Sequence, residues 1–155
     1  MIDSSSSLID RYVLGREIGR GAFAVVKRGT DKRNGQLVAV KCYTITDTCQ
    51  QTALHAEREI SIMTKLEHPN CCSLLGVHSS DKCIYVVMEC LFGGELFQRL
   101  ADQVSGADFI MDCAQFTTHD LFARQEHYSE REAAACFVQI VSAIEYLHSK
   151  HICHR

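Results

Sequence analysis

Apolar positions change their spacing along the chain, and each change marks a new element. Tyr12-Val13-Leu14-Gly15-Arg16-Glu17-Ile18 and Ala24-Val25-Val26-Lys27-Arg28-Gly29 are rich in β-branched residues and are joined by a glycine-containing turn, which predicts two strands. Asp31-Lys32-Arg33-Asn34-Gly35 supplies the next turn, Asn-Gly being a strong hairpin signal, and residues 37–43 read as a third strand. Together these predict an antiparallel meander. From about Gln50 to Glu67 the period lengthens. Ala56, Ile60, Met63 and Leu66 recur at three- and four-residue spacing, the mark of a helix with one apolar stripe. His68-Pro69-Asn70 ends it, because proline disfavours helical geometry in the residue before it. Residues 74–78 and 83–89 read as two more strands around Ser79-Ser80-Asp81-Lys82. Gly93-Gly94 then breaks the chain before a short helix expected near 95–100. Ser129 and Glu132 form a capping box, and Phe137, Ile140, Val141, Ile144 and Leu147 follow on one helical face.

The pattern therefore predicts an α+β fold: five strands with one helix inserted after the third, followed by helices. Residues 1–11 are expected to be a disordered polar tail, 12–91 a strand-rich unit, and 92–155 the start of a helical one. The stretch 104–126 is longer than a compact domain normally needs for a connection. It reads either as a surface insertion with a short helix near 120–125 or as a misread gene. No internal repeat is visible.

Composition narrows the classes. A chain of 155 residues with 46% hydrophobic residues has room for one domain and its core. A net charge of −3 with scattered basic residues gives no electrostatic case for nucleic acid or an anionic membrane. No segment approaches the ~20 apolar residues of a membrane span, and the N-terminus lacks the basic and apolar regions of a signal peptide. Its second residue, Ile2, excludes N-myristoylation. Nine cysteines without a CxxC spacing suggest a reducing, cytoplasmic or nuclear compartment. Cys42, Cys83, Cys90, Cys136 and Cys153 are expected as small buried hydrophobes, and Cys71-Cys72 lacks a second pair at metal-ligand spacing.

Three features carry candidate chemistry. Gly19 and Gly21 lack the β-carbons that keep a backbone away from a phosphate, so their amides can close over one. Alone, a Gly-x-Gly is as compatible with an ordinary hairpin turn. Phe23, at the tip, and Val26 are consistent with a lid over an adenine pocket. Lys41 follows Val38-Ala39-Val40 and shares a strand face with Ala39, leaving space for a flat base beside a cation. Glu59, on the next helix, is placed to orient that cation and keep it charged. Taken singly, Lys41 and Glu59 also read as solvated surface charges.

In combination these features resemble the eukaryotic protein kinases over residues 12–100 and 128–155. The motifs are the glycine loop, Val38-Ala39-Val40-Lys41, Glu59-Ile60, His68-Pro69-Asn70, Met88-Glu89, Gly93-Gly94-Glu95-Leu96 and His154-Arg155. Gly93-Gly94-Glu95-Leu96-Phe97 and Tyr146-Leu147-His148-Ser149 are most similar to the calcium/calmodulin-dependent group, which implies serine/threonine specificity. The resemblance implies a kinase N-lobe of five antiparallel strands and one helix, followed by the first helices of an incomplete C-lobe. It implies ATP binding by Ile18, Gly19, Arg20, Gly21, Ala22, Phe23, Ala24, Val26, Ala39, Lys41, Met88, Glu89, Leu91 and Glu95, with Lys41 and Glu59 as the catalytic pair. Ile18, Val26 and Ala39 are then expected around the adenine, with Met88 as gatekeeper and the backbones of Glu89 and Leu91 as its hydrogen-bonding partners. Glu95 is expected to meet the ribose or a basic substrate residue, and Met63, Leu74 and His154 to stack between lobes. A protein substrate is implied for the full-length parent, and neither nucleic acid nor a membrane is implied as a partner. The alternative reading is a non-catalytic module that binds nucleotide or docks on another protein.

Two departures from the family pattern qualify this. Ala24 stands where a third loop glycine is usual, a change that stiffens the hairpin without blocking a nucleotide. The aspartate expected after His154-Arg155, and the asparagine and aspartate that would hold Mg²⁺, do not occur within these residues, so no metal ligands are assigned. The expectation is a fragment that binds without turnover. Its C-terminal helix, short of apolar partners, is expected to self-associate.

Overall fold

A computed structural model describes residues 8–45, 50–92, 94 and 129–154. Glu95, the helix expected near 95–100 and the stretch 104–126 lie outside the described residues. The elements are α1 (Leu8–Arg11), β1 (Tyr12–Arg20), β2 (Val25–Asp31), β3 (Leu37–Thr44), α2 (Gln50–Met63), β4 (Leu74–Ser80), β5 (Cys83–Glu89) and α3 (Glu130–Ser149). The five strands form one antiparallel sheet in the order β1-β2-β3-β5-β4, as the α+β reading requires.

Strand alternation sends successive side chains to opposite faces, so the sheet builds two cores. On one face Val38, Val40 and Val87 pack with Tyr12 and Leu8. On the other, Tyr43 and Val86 pack with Ala24 and with Ala56 of α2, flanked by Ile60, Met63, Leu74 and Met88. Gly29 makes the first core possible. A β-carbon there would fall 3.1 Å from Val38 Cγ2 and 3.2 Å from Val40 Cγ2.

Some expected boundaries move. The tail does not extend to residue 11: Leu8–Arg11 forms a helical turn because Leu8 finds a buried place beside Tyr12 and Val38. Arg11 is then fixed by its ion pair with the buried Asp31, at 2.9 Å. The 31–36 turn is longer than a two-residue Asn-Gly hairpin. Asp31 and Asn34 side chains each cap an amide two residues on, and Gly35 takes the left-handed conformation at φ 74°. Helix α2 ends at Met63 rather than near Glu67, closing with tight turns at Lys65 and Leu66 before Pro69.

The predicted capping box is present at the start of α3. Ser129 Oγ accepts from the Glu132 amide, and the Ser129 amide donates to Glu132 Oε2. Helix α3 touches the α2–β4 connection through polar groups. The Tyr146 hydroxyl accepts from the Glu67 amide at 2.9 Å and donates to Lys65 O at 3.3 Å, and its ring stacks on His68. Ser142 meets His68, and Gln139 meets Asn70.

The cysteines correct another expectation. Those described form no disulfide with one another and are half-buried rather than fully buried, and Cys153 is exposed beyond the end of α3. Burial, with the Glu89 charge nearby, pushes the Cys72 thiol up to about 11. No described helix is long and apolar enough to cross a membrane.

Candidate functional site

Pairing across the sheet decides which side chains meet on the α2 face. Gly19 lies opposite Val26, Val26 opposite Lys41, and Lys41 opposite Val86. The neighbouring row runs Arg28, Ala39, Met88 and Leu74. One face therefore holds a cation between a small residue, Ala39, and the aromatic Tyr43 two places along β3. The β1–β2 register slips twice between Leu14 and Gly19, which brings Gly19 level with Val26.

Lys41 and Glu59 converge here. The ammonium donates to both carboxylate oxygens, at 2.8 Å to Oε1 and 2.7 Å to Oε2. Their side chains are 29% and 30% exposed, so the pair sits at the rim of the core rather than within it. An ammonium has three N–H donors, and two are spent on Glu59. One remains for a further acceptor. Tyr43 completes the group: it is 2% exposed, its hydroxyl donates to Glu59 Oε2, and its ring centroid lies 5.4 Å from Lys41 Nζ. Burial, followed by the hydrogen bond to Glu59 and the charge of that carboxylate, raises the Tyr43 pKa, so the phenol stays protonated as a donor.

The β1–β2 connection leans on the α2 side of the sheet through Ala24 and Phe23. Its turn is closed by the Gly21 amide on Ala24 O at 2.9 Å. Gly19 and Gly21 are not demanded by the fold. Neither has positive φ, and a β-carbon would meet only Val26 at 3.8 Å and Ala24 O at 3.8 Å respectively, ordinary contacts. Ala24 turns its methyl into the buried cluster with Tyr43 and Ala56, away from the flap's outer side. Phe23, expected above an adenine pocket, instead stacks on His55 of α2, with ring centroids 4.1 Å apart. Arg20 folds back along β1 in a two-point ion pair with Glu17, and Ala22 is exposed.

The remaining expected residues are spread across β1, β2, β3 and β5 and the residues after β5. Ile18 and Leu91 are exposed, Val26 and Met88 are half-buried, and Ala39 is buried. The Glu89 amide is taken by Ser73 O at 3.0 Å, while its side chain accepts from the Ser73 amide at 2.7 Å. Met63 and Leu74 pack together against the α2-face core, whereas His154 is exposed. Sequence reasoning missed Tyr43 and His55. The first was legible in principle, since residues 41 and 43 share a strand face; the second depends on the curl of the flap.

Comparison with known proteins adds a second line. The protein kinase domain family matches residues 12–155. A probable myosin light chain kinase of Dictyostelium discoideum is 36% identical over 150 residues, covering 97% of this chain and 33% of that protein. CBL-interacting protein kinase 24 of Oryza sativa subsp. japonica is 36% identical over 148 residues, covering 95% of this chain and 28% of the relative. Calcium/calmodulin-dependent protein kinase type II of Caenorhabditis elegans is 33% identical over 155 residues, covering 100% and 18%. The chain spans a third or less of the length of each of these three.

Proposed function

The chain belongs to the protein kinase family, its sheet and α2 making the N-lobe and α3 part of the C-lobe, and we propose that it binds ATP between the glycine flap and Lys41. The observation that carries this reading is the Lys41–Glu59 pair, at 2.7 and 2.8 Å, in the cross-strand row Gly19–Val26–Lys41 beside a turn whose two glycines packing does not require. Glu59 holds the ammonium in place, and the free N–H points charge at an anionic acceptor. The missing β-carbons at residues 19 and 21 let backbone amides approach the same acceptor. ATP fits such a site chemically: its phosphates accept charge-assisted hydrogen bonds, and its adenine matches the apolar side chains of Val26, Ala39 and Met88.

When bound, ATP supplies the phosphoryl group that a serine/threonine kinase transfers to a protein hydroxyl. Lys41 orients the phosphates, Glu59 orients Lys41, and Ala39 leaves room for the base. Magnesium is implied with ATP by the protein kinase family, and the asparagine and aspartate of the family pattern that would hold it are not among these 155 residues. No step is assigned to it. Phosphoryl transfer to protein substrates is proposed for a protein that also carries the aspartate and metal ligands of the family pattern; for these 155 residues we propose binding without turnover.

The exposed face of α3, with Phe137, Val138, Val141 and Ile144, belongs on this reading against further helices of the same lobe. Where those helices are missing, it favours self-association. The binding claim is tested by differential scanning fluorimetry. ATP should raise the melting temperature of the chain, and Lys41→Met should remove most of that shift. No shift in the unmodified chain would discard the claim.

A further inference from the structure

Tyr43 stands out because packing explains its ring and not its hydroxyl. The ring fills the core between the sheet and α2, among Ala24, Ala56 and Val86, where phenylalanine would serve as well. A buried hydroxyl must find a partner or be desolvated at a cost. This one is aimed at the carboxylate that holds Lys41. Among the described residues the other fully buried tyrosine, Tyr12, has no partner for its hydroxyl, so a satisfied phenol is not automatic in this sheet.

The arrangement has a mechanical consequence. Glu59 reaches from α2 on a side chain with three free torsions, and its 30% exposure leaves water as a competing partner. Its two oxygens receive three donations: two from Lys41 and one from Tyr43. Without the phenol, Glu59 is tethered only by the cation it is meant to position. With it, the carboxylate is anchored to β3 itself, on the strand that carries Lys41. The strand's two-residue period sets this geometry, since positions 41 and 43 share a face.

We propose that Tyr43 is a positioning residue of this site, whose phenol fixes the Glu59 carboxylate and, through it, the direction of the Lys41 ammonium toward phosphate. The inference rests on the nucleotide reading above. Its test compares ATP with adenosine by isothermal titration of the chain, Tyr43→Phe, Glu59→Gln and the double variant. Tyr43→Phe keeps the ring volume and removes the donor. It should weaken ATP about tenfold, the scale of one charge-assisted hydrogen bond, and leave adenosine unchanged. In the Glu59→Gln background it should weaken ATP no further, because its partner has lost the charge.

Equal ATP affinity for the chain and Tyr43→Phe would overturn the proposal, as would a full additional loss in the double variant. A role in packing alone, which phenylalanine fills as well, would leave the ATP-to-adenosine ratio intact. The carbon-13 resonance of the Glu59 carboxyl, assigned by its loss in Glu59→Gln, reads the contact without nucleotide. It should move in Tyr43→Phe, and an unmoved resonance refutes the contact. If the unmodified chain fails to distinguish ATP from adenosine, the nucleotide reading fails, and the carboxyl resonance still decides the role of Tyr43 toward Glu59.

Discussion

Gly21→Ala separates what the fold asks of the flap from what a ligand asks of it. A β-carbon at residue 21 meets only Ala24 O, at 3.8 Å, and the backbone there has no positive φ. An added methyl therefore strains nothing, while it reduces the freedom of the unfolded chain. Such substitutions stabilise by about 0.4–1 kcal/mol, or a few degrees in melting temperature. Gly29→Ala is the control. Its β-carbon would stand 3.1 Å and 3.2 Å from valine methyls of the first core and 3.4 Å from Val13 O, so overpacking should cost about 1–3 kcal/mol. For ATP the order reverses. The Gly21 methyl holds the flap's amides off the phosphates, and losing one charge-assisted hydrogen bond corresponds to about tenfold in affinity. Chemical denaturation and isothermal titration of both variants measure the two effects. The reasoning fails if Gly21→Ala destabilises as much as Gly29→Ala, or if it binds ATP as well as the unmodified chain.

Three further outcomes follow from the packing. Tyr12→Phe removes a buried hydroxyl that has no partner among the described residues and should raise stability by about 1 kcal/mol in guanidinium denaturation; a loss would show that the hydroxyl is satisfied. Asp31 sets an acid limit on stability. Burial pushes its pKa up, but the Arg33 amide and the Arg11 guanidinium outweigh this and hold it below the ordinary value. A depressed folded-state pKa means a contribution complete above about pH 4 and lost as pH falls through the lower folded value. Stability measured from pH 5 downward should therefore fall more steeply in the unmodified chain than in Asp31→Asn, and parallel curves would contradict the shift. Tyr146→Phe removes the acceptor of the Glu67 amide, so hydrogen exchange at Glu67 should quicken while exchange in β3 stays unchanged; an unchanged Glu67 would show that α3 does not hold this connection.

What was legible in the sequence was mostly local or periodic. The capping box at Ser129 and Glu132 spans four residues, and the strands are written in alternation that any sheet must obey. Lys41 and Glu59 were paired from the order of motifs, and the sheet and α2 bring them into contact. Less visible were contacts that need the whole fold. Tyr146 and Glu67 are 79 positions apart, and nothing in either neighbourhood announces the other. The Phe23–His55 stack depends on how the flap curls, and Leu8 reads as tail until the sheet offers it a place beside Tyr12 and Val38. The cysteines are less buried than their apolar neighbours in sequence suggest: Cys42 within β3 and Cys136 within α3 are half-buried, and Cys153 beyond the helix end is exposed.

Phosphorus-31 NMR of ATP added to the chain and to Lys41→Met tests the central claim most directly, because it observes the phosphates that Lys41 is proposed to meet. With the unmodified chain the α- and β-phosphorus resonances should shift and broaden as the complex forms, and in Lys41→Met these changes should largely vanish. Equal perturbation with both proteins, or none with either, would contradict the account.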